Sequence, residues 1–218
     1  MATLTPGRLR VASYAAFAPV CWREDGKAYG RDIDFLRAFA AAQGLALDVE
    51  FFEFDRIWER PGRGEVDIAA AGIAPLPARQ APGVRWSEPY FTVRRSLIVR
   101  AADAERLATL DAFGGRTVGA TRGSTADIDT VERKPSSTLL VYYDMQEEAV
   151  EELLAGVIDG FGTGDVCSQY LVERHLGDLA IADVHEMEEP EHFAFAVRTA
   201  SDLLQPLNAF IQAHKDKY

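Results

Sequence analysis

Cysteine is nearly absent: Cys21 and Cys167 are the two thiols in 218 residues. They lie far apart and form no metal-ligand spacing, so two buried free thiols are the expected state, with a disulfide between them the open alternative. Histidine is scarce as well. His175, His185, His192 and His214 make no H-x-x-x-H pattern, so a metal centre has no support, and no cofactor motif stands elsewhere. No run of about 18 apolar residues occurs, which removes a membrane-spanning helix. Positive charge is in short supply, with 23 Lys and Arg against 34 Asp and Glu and a net charge of -11. A field of that sign disfavours nucleic acid and anionic membrane surfaces as partners. It does not prevent capture of a small anion, because a local arginine outweighs distant surface charge. Catalytic signatures are thin: no G-x-S-x-G elbow, no phosphate loop and no Cys–His spacing. The carboxylate pairs Glu151-Glu152 and Glu188-Glu189 read as solvated faces. The opening residues, MATLTPGRLRVASY, lack the charged-then-apolar layout of a secretory leader. Either the protein is cytoplasmic, or a leader has been removed and Met1 replaces it.

What is present is a well-mixed chain, 48% hydrophobic, long enough for one large domain or two small ones. Leu9 to Tyr14 reads as a strand, followed by a loop from Ala15 to Gly30. Asp32 to Gln43 carries Ile33, Phe35, Leu36, Phe39 and Ala40 at helical spacing, and Gly44 stops it. Leu45 to Phe52 is a second strand, Arg56 to Gly64 a short helical turn, and Val66 to Ala71 a third strand. That order implies a parallel sheet covered by helices. A second unit follows the strand Ser96 to Val99. It holds a short helix at Leu107 to Phe113, strands at Thr117 to Ala120, Leu139 to Tyr142 and Ile158 to Phe161, and helices at Glu147 to Ala155 and Asp165 to His175. After Leu179 to Ala182, His192 to Val197 reads as one strand and Ser201 to Lys215 as an amphipathic helix capped by Ser201-Asp202.

The most informative segment is Asp67 to Arg79, DIAAAGIAPLPAR. A small apolar strand breaks at Gly72, and one arginine emerges beyond a Pro-containing loop. A guanidinium there can pair both oxygens of a carboxylate, and the small residues let a ligand approach the backbone. The alternative is a surface arginine closing a structural turn. Gly123-Ser124-Thr125, after a strand and before a helix, offers backbone N–H groups and two hydroxyls to an anion, or serves as an ordinary cap. Ligands of open α/β sheets sit beyond the carboxyl ends of strands, so two such edges point to a two-lobed protein closing on a small molecule. Tyr14, Phe17, Trp22 and Phe54 are aromatics at strand ends or in loops, Phe54 being the strongest candidate to flank a ligand. Trp58 and Trp86 read as packing residues. Asp165, after Gly162-Thr163-Gly164, either accepts from a ligand ammonium or caps the helix that follows.

With these segments placed, the chain resembles the family 3 extracytoplasmic solute-binding proteins, the amino-acid-binding components of ABC transporters. The resemblance runs through Phe17-Ala18-Pro19, Asp25-Gly26-Lys27, Gly30-Arg31-Asp32-Ile33-Asp34 and Gly64-Glu65-Val66-Asp67 with Arg79. It continues through Trp86-Ser87-Glu88-Pro89-Tyr90, Gly115-Arg116-Thr117-Val118-Gly119, Gly123-Ser124-Thr125 and Val157-Ile158-Asp159-Gly160. It implies a two-lobed α/β fold of the type II periplasmic-binding class, two open sheets joined by two crossing segments near Val93 to Val99 and Glu188 to Phe195. Lobe 1 would comprise residues 1–95 and 193–218, lobe 2 residues 96–192, with the ligand cleft between them. It further implies that Arg79 with Ser124 and Thr125 holds a ligand carboxylate, that Gly72 offers its carbonyl to an ammonium, and that Phe54 with Tyr14 or Phe17 flanks the side chain. This chain departs from the pattern at Ala74 and Leu76, where hydroxyl residues are usual, at Val20 after Pro19, and at Gly164, which aligns with the usual acid one residue before Asp165.

The resemblance implies a monomeric, extracytoplasmic protein that binds an amino acid or related small carboxylate by hinge closure, with a membrane permease as partner and no enzymatic activity. Two other readings stand beside it: an enzyme similar to cyclohexadienyl (arogenate) dehydratases, with Asp165 as the nearby acid, and a sensing domain like that of membrane-bound lytic transglycosylases.

Overall fold

The computed structural model describes residues 2–185 and 191–217, which form two compact units, Met1–Thr92 with His192–Tyr218 and Val93–Glu191. Glu188 and Glu189, read as a solvated face and as part of a crossing segment, lie outside the described residues.

Unit 1 begins with β1 (Arg8–Ser13), then β2 (Ala16–Phe17), β3 (Cys21–Glu24), β4 (Lys27–Tyr29), α1 (Arg31–Ala42), β5 (Ala46–Phe51), β6 (Ile68–Ala69), β7 (Val84–Trp86) and β8 (Phe91–Val93). In α1, Ile33, Phe35, Leu36, Phe39 and Ala40 are all buried, the face that the helical spacing requires. β5, β1 and β6 run parallel, with Val11 opposite both Val49 and Ile68. The expected loop from Ala15 to Gly30 is instead a three-stranded antiparallel sheet, β2-β3-β4. Strands of two to four residues are too short for alternation to show in sequence. The expected helical turn at Arg56 to Gly64 shrinks to a 3₁₀ turn at Ile57–Glu59.

Unit 2 carries β9 (Arg95–Arg100), β10 (Thr117–Ala120), α2 (Thr125–Arg133), β11 (Leu139–Tyr142), α3 (Gln146–Leu154), β12 (Gly160–Gly164), α4 (Asp165–Arg174) and β13 (Leu179–His185). Its sheet has the order β11-β10-β12-β9-β13, parallel among β11, β10 and β12 and antiparallel at β9 and β13. Both faces are covered. Ile98 and Phe161 pack with Ala149, Val150 and Leu153 of α3 and Leu171 of α4. Leu97 and Val99 pack with Leu107, Leu110, Phe113 and Val118. The alternation along β9 sends its residues to opposite layers. The expected helix at Leu107 to Phe113 is a 3₁₀ turn at Leu110–Phe113.

The chain then gives β14 (Glu191–Phe193), β15 (Ala196–Arg198) and α5 (Leu204–His214). The single strand expected from His192 to Val197 is divided because its halves join different sheets. β14 pairs with β8, and β15 lies between β6 and β7 in the order β5-β1-β6-β15-β7. The break is fixed by Ala194, whose N–H donates to Ile73 O at 2.9 Å, and by Phe195, whose N–H donates to Ser87 Oγ at 2.9 Å. The expected cap on α5 is not made. Ser201 Oγ donates to Arg198 O at 2.7 Å, and Asp202 Oδ1 accepts from the Ala2 N–H at 2.7 Å. Cys21 and Cys167 are buried and are not bridged to each other. Among the described residues, no helix is long and apolar enough to cross a membrane.

Candidate functional site

In unit 1 the candidate residues gather past the carboxyl ends of β1 and β6. Asp67, fully buried, anchors this edge from below: Oδ1 accepts from Leu4 N–H at 2.8 Å and Oδ2 from Arg10 N–H at 3.0 Å. The ladder continues as Ala70 N–H donates to Ala12 O at 2.9 Å, and Ser13 Oγ donates to Ala70 O at 2.7 Å. Gly72 then turns the chain with φ +60°. A Cβ built there would lie 2.6 Å from Phe17 Cε1 and 3.1 Å from Phe193 Cε2, so both the left-handed backbone and the crowding call for glycine. The chain reaches Arg79 through a 3₁₀ turn, Pro77–Arg79.

Arg79 is only 3% exposed, so it is no surface residue, although it does close the turn back to Ala74 as that alternative expects. Its Nη1 donates to Ala74 O at 2.9 Å, and the guanidinium sits 4.8 Å from the Trp58 ring centroid and 5.6 Å from that of Phe54. Phe54 packs edge-on to Tyr14 at 5.9 Å and to Trp58 at 6.3 Å. A fixed, buried cation in an aromatic corner is costly to desolvate, and a carboxylate is the counter-charge that its planar fork fits. Phe17 is half-buried, edge-on to Phe193 at 6.3 Å. Unit 1 therefore brings Tyr14, Phe17, Phe54, Gly72, Ala74 and Arg79 to one edge.

Two residues at this edge escaped the sequence reading. Trp58, expected only to pack, also carries the Arg79 guanidinium; its 3₁₀ turn starts after Arg56 in a left-handed conformation (φ +59°), which no local pattern announced. Asp32 is fully buried, and its Oδ2 accepts from Gly72 N–H at 2.8 Å while Oδ1 accepts from the Tyr90 hydroxyl. Burial pushes its carboxyl up to about 6, against the opposing pull of the Tyr90 and Gly72 hydrogen bonds and of Arg31.

In unit 2, Ser124 and Thr125 follow β10, and Asp165 follows the neighbouring β12. Ser124 is the N-cap of α2, with Oγ accepting from Asp127 N–H at 3.1 Å, and Asp127 Oδ2 accepts in return from Gly123 N–H at 2.9 Å. Thr125 is 8% exposed and donates its hydroxyl to Glu191 Oε1 at 2.7 Å. Glu191 is ion-paired with the buried Arg95. The capping reading thus holds for Ser124, while the amides of Thr125 and Ala126, at the first two helical positions, have no intrahelical carbonyl to reach.

Asp165 opens α4 rather than preceding it: its Oδ1 accepts from Val166 N–H at 3.0 Å and its Oδ2 from Arg94 Nε at 2.9 Å. Register explains the pairing. β12 runs antiparallel to β9 with Gly164 opposite Arg95, so the next residues outward, Asp165 and Arg94, meet. Asp165 is therefore held by a cation from its own unit.

Known proteins align with this architecture. A solved ancestral arginine-binding protein bound to arginine superposes with a TM-score of 0.85 at 27% identity, covering 97% of this chain and 93% of that one. The arginine-binding protein ArgT of Corynebacterium glutamicum is 25% identical over 94% of this chain and 69% of its own length. The membrane-bound lytic murein transglycosylase F of Desulfosudis oleivorans is 28% identical over 86% of this chain, which spans only 41% of that protein. The fold is the two-lobed type II periplasmic-binding architecture. With residues 9–218 matched to the family's common pattern, this chain belongs to the bacterial extracellular solute-binding proteins, family 3.

Proposed function

We propose that this protein captures a small amino acid or a related carboxylate, outside the cytoplasmic membrane, as the solute-binding component of an ABC importer. The observation that carries the reading is Arg79: a guanidinium 3% exposed, braced by Ala74 O and two aromatic rings, beyond the carboxyl ends of the parallel strands β1 and β6. In this reading Arg79 takes the ligand carboxylate from unit 1, and the first amides of α2, those of Thr125 and Ala126, take it from unit 2. Tyr14, Phe17 and Phe54 line the ligand's body, and Gly72 and Ala74 leave room for it against the backbone. Closure of the two units on the ligand would then be the signal read by a permease.

The amine half of the site is weaker. Asp165 is engaged by Arg94, so a ligand ammonium would have to compete with a guanidinium for it. We therefore expect a desamino analogue to bind about as well as the matching amino acid. The same engagement argues against Asp165 as the acid of a dehydratase and favours a binder over an enzyme. The similarity to the transglycosylase supports a second reading, in which the same binding unit senses a ligand for a longer protein.

The test is a thermal-shift screen of the twenty L-amino acids and their 2-oxo analogues. A ligand at 100 times its Kd stabilises by about 2.7 kcal/mol. At roughly 2–4 °C per kcal/mol for a chain this size, that is a rise of about 5–11 °C. If nothing in the screen moves Tm by a degree at millimolar concentration, the reading fails. Consumption of prephenate or arogenate would replace it with the enzyme reading.

A further inference from the structure

The ligand roles proposed above leave Asp32 without a task, yet it is among the most constrained groups in unit 1. It sits in the first turn of α1 with no solvent exposure. One oxygen holds the Gly72 N–H at 2.8 Å, and the other holds the Tyr90 hydroxyl. Tyr90 immediately precedes β8, the first crossing strand. Its N–H donates to Phe193 O at 3.0 Å, in β14, the second. Its ring stacks on Phe195 at 4.2 Å and 3°. The circuit closes on the far side of Gly72, where Ala194 N–H donates to Ile73 O at 2.9 Å and the Phe193 ring crowds Gly72 itself.

We infer that Asp32 is a positioning residue that fixes the Ala71–Gly72 peptide and locks the Gly72 loop to both crossing strands through Tyr90. A peptide whose N–H is anchored has its orientation set, and with it the direction in which the adjoining carbonyls face a ligand. The loop and the β8–β14 pair then move as one body, so that a ligand pulling on the loop pulls on those two strands. This inference uses the binding reading only in saying that the loop meets a ligand; the coupling itself exists without one.

The groups that act on Asp32 come from three directions: Tyr90 from the segment leading into β8, Cys21 from β3 and Arg31 from α1. Burial pushes both the Cys21 thiol and the Tyr90 hydroxyl up, so both stay neutral across the range in which Asp32 titrates. Arg31 keeps its charge while lying 4.0 Å over the Phe91 ring.

The experiment is NMR on the full chain without ligand between pH 4.5 and 8. The Gly72 amide shift should titrate with the same midpoint as the Asp32 carboxyl carbon. Tyr90→Phe should raise both midpoints, since the lost hydroxyl favoured the carboxylate. It should also speed Gly72 amide exchange tenfold or more, while Val11 and Val49 in the β1–β5 ladder are unchanged. A Gly72 shift that ignores the Asp32 titration overturns the inference. So does a Tyr90→Phe variant with unaltered Gly72 exchange, or one in which Val11 and Val49 speed up equally, since that is general loosening. Tyr90→Phe and the pH series carry the test without any substitution at Asp32 itself. Because no ligand is added, failure here is distinct from failure of the ligand screen.

Discussion

Replacing Arg79 by Met separates what the residue does for ligand from what it does for the fold. Met keeps an unbranched stem against Trp58 and Phe54 but removes the charge and the donors. The free protein loses at least the hydrogen bond to Ala74 O, about 1 kcal/mol, and cation–π contacts with Trp58 and Phe54 of about 1 kcal/mol each. Against this, it no longer confines an ion at 3% exposure, a desolvation cost of several kcal/mol in general. The unliganded variant should therefore stay within about 2 kcal/mol of the parent in urea unfolding. Binding behaves differently, because a ligand carboxylate would be left without its partner in an aromatic corner. Removing one member of such a pair costs about 3–5 kcal/mol, on the order of 10²–10⁴ in Kd. Calorimetric titration with the best ligand of the screen reads that loss. The reasoning is refuted if Arg79→Met lowers the stability of the free protein by more than about 2 kcal/mol while Kd stays within about threefold, on the same scale of pair energies. Arg79 would then be a structural post.

Three further outcomes follow from the geometry. Asp67→Asn puts an amide donor where two backbone N–H groups need acceptors, and should cost about 2–4 kcal/mol in urea unfolding; a loss under 0.5 kcal/mol would contradict the bracing role. Gly72→Ala forces a left-handed alanine 2.6 Å from Phe17 and should weaken ligand binding about tenfold or more, with an unchanged far-UV spectrum. For pH, the Asp32 carboxyl is raised from 3.8 to about 6 by burial, so the native state holds its proton more tightly than the unfolded chain. Its contribution to stability is fully present below about pH 4, falls as pH rises towards 6 and is constant above, a change of about 3 kcal/mol. The stability difference between the parent and Asp32→Asn, measured by urea unfolding from pH 4 to 8, should decline and then level in that window; a flat difference counts against it.

The parallel core of each unit was legible because its periodicity is local. Ile33, Phe35, Leu36 and Phe39 announce the buried face of α1, and Thr117 to Ala120 and Leu139 to Tyr142 are strands with the expected bounds. The β2-β3-β4 sheet was not legible, since its strands are shorter than the repeat needed to recognise them. The division of His192 to Val197 depends on two different partner sheets, which sequence does not display. At the candidate site, an arginine beyond a small apolar strand could be read, but not the Trp58 ring beneath it. An aspartate in the first turn of a helix ordinarily reads as a companion of the helix dipole. The burial of Asp32 comes from Gly72, 40 residues away, and Tyr90, 58 away. The Arg94–Asp165 pair arises the same way, from the antiparallel register of β9 and β12.

The placement of β15 carries a consequence for biosynthesis. It is the fourth of five strands in the first sheet, and β7 is attached to that sheet through it. Residues 93–191, by contrast, are contiguous and contain every strand of the second sheet. A ribosome therefore delivers everything the second unit needs before the first can close. The opening 92 residues, including Arg79 and its aromatic corner, have only β5, β1 and β6 of the five-stranded sheet joined until Ala196–Arg198 emerges. A stop codon between His192 and Ala196 would thus leave the second unit whole and strip the first of the strand that completes it.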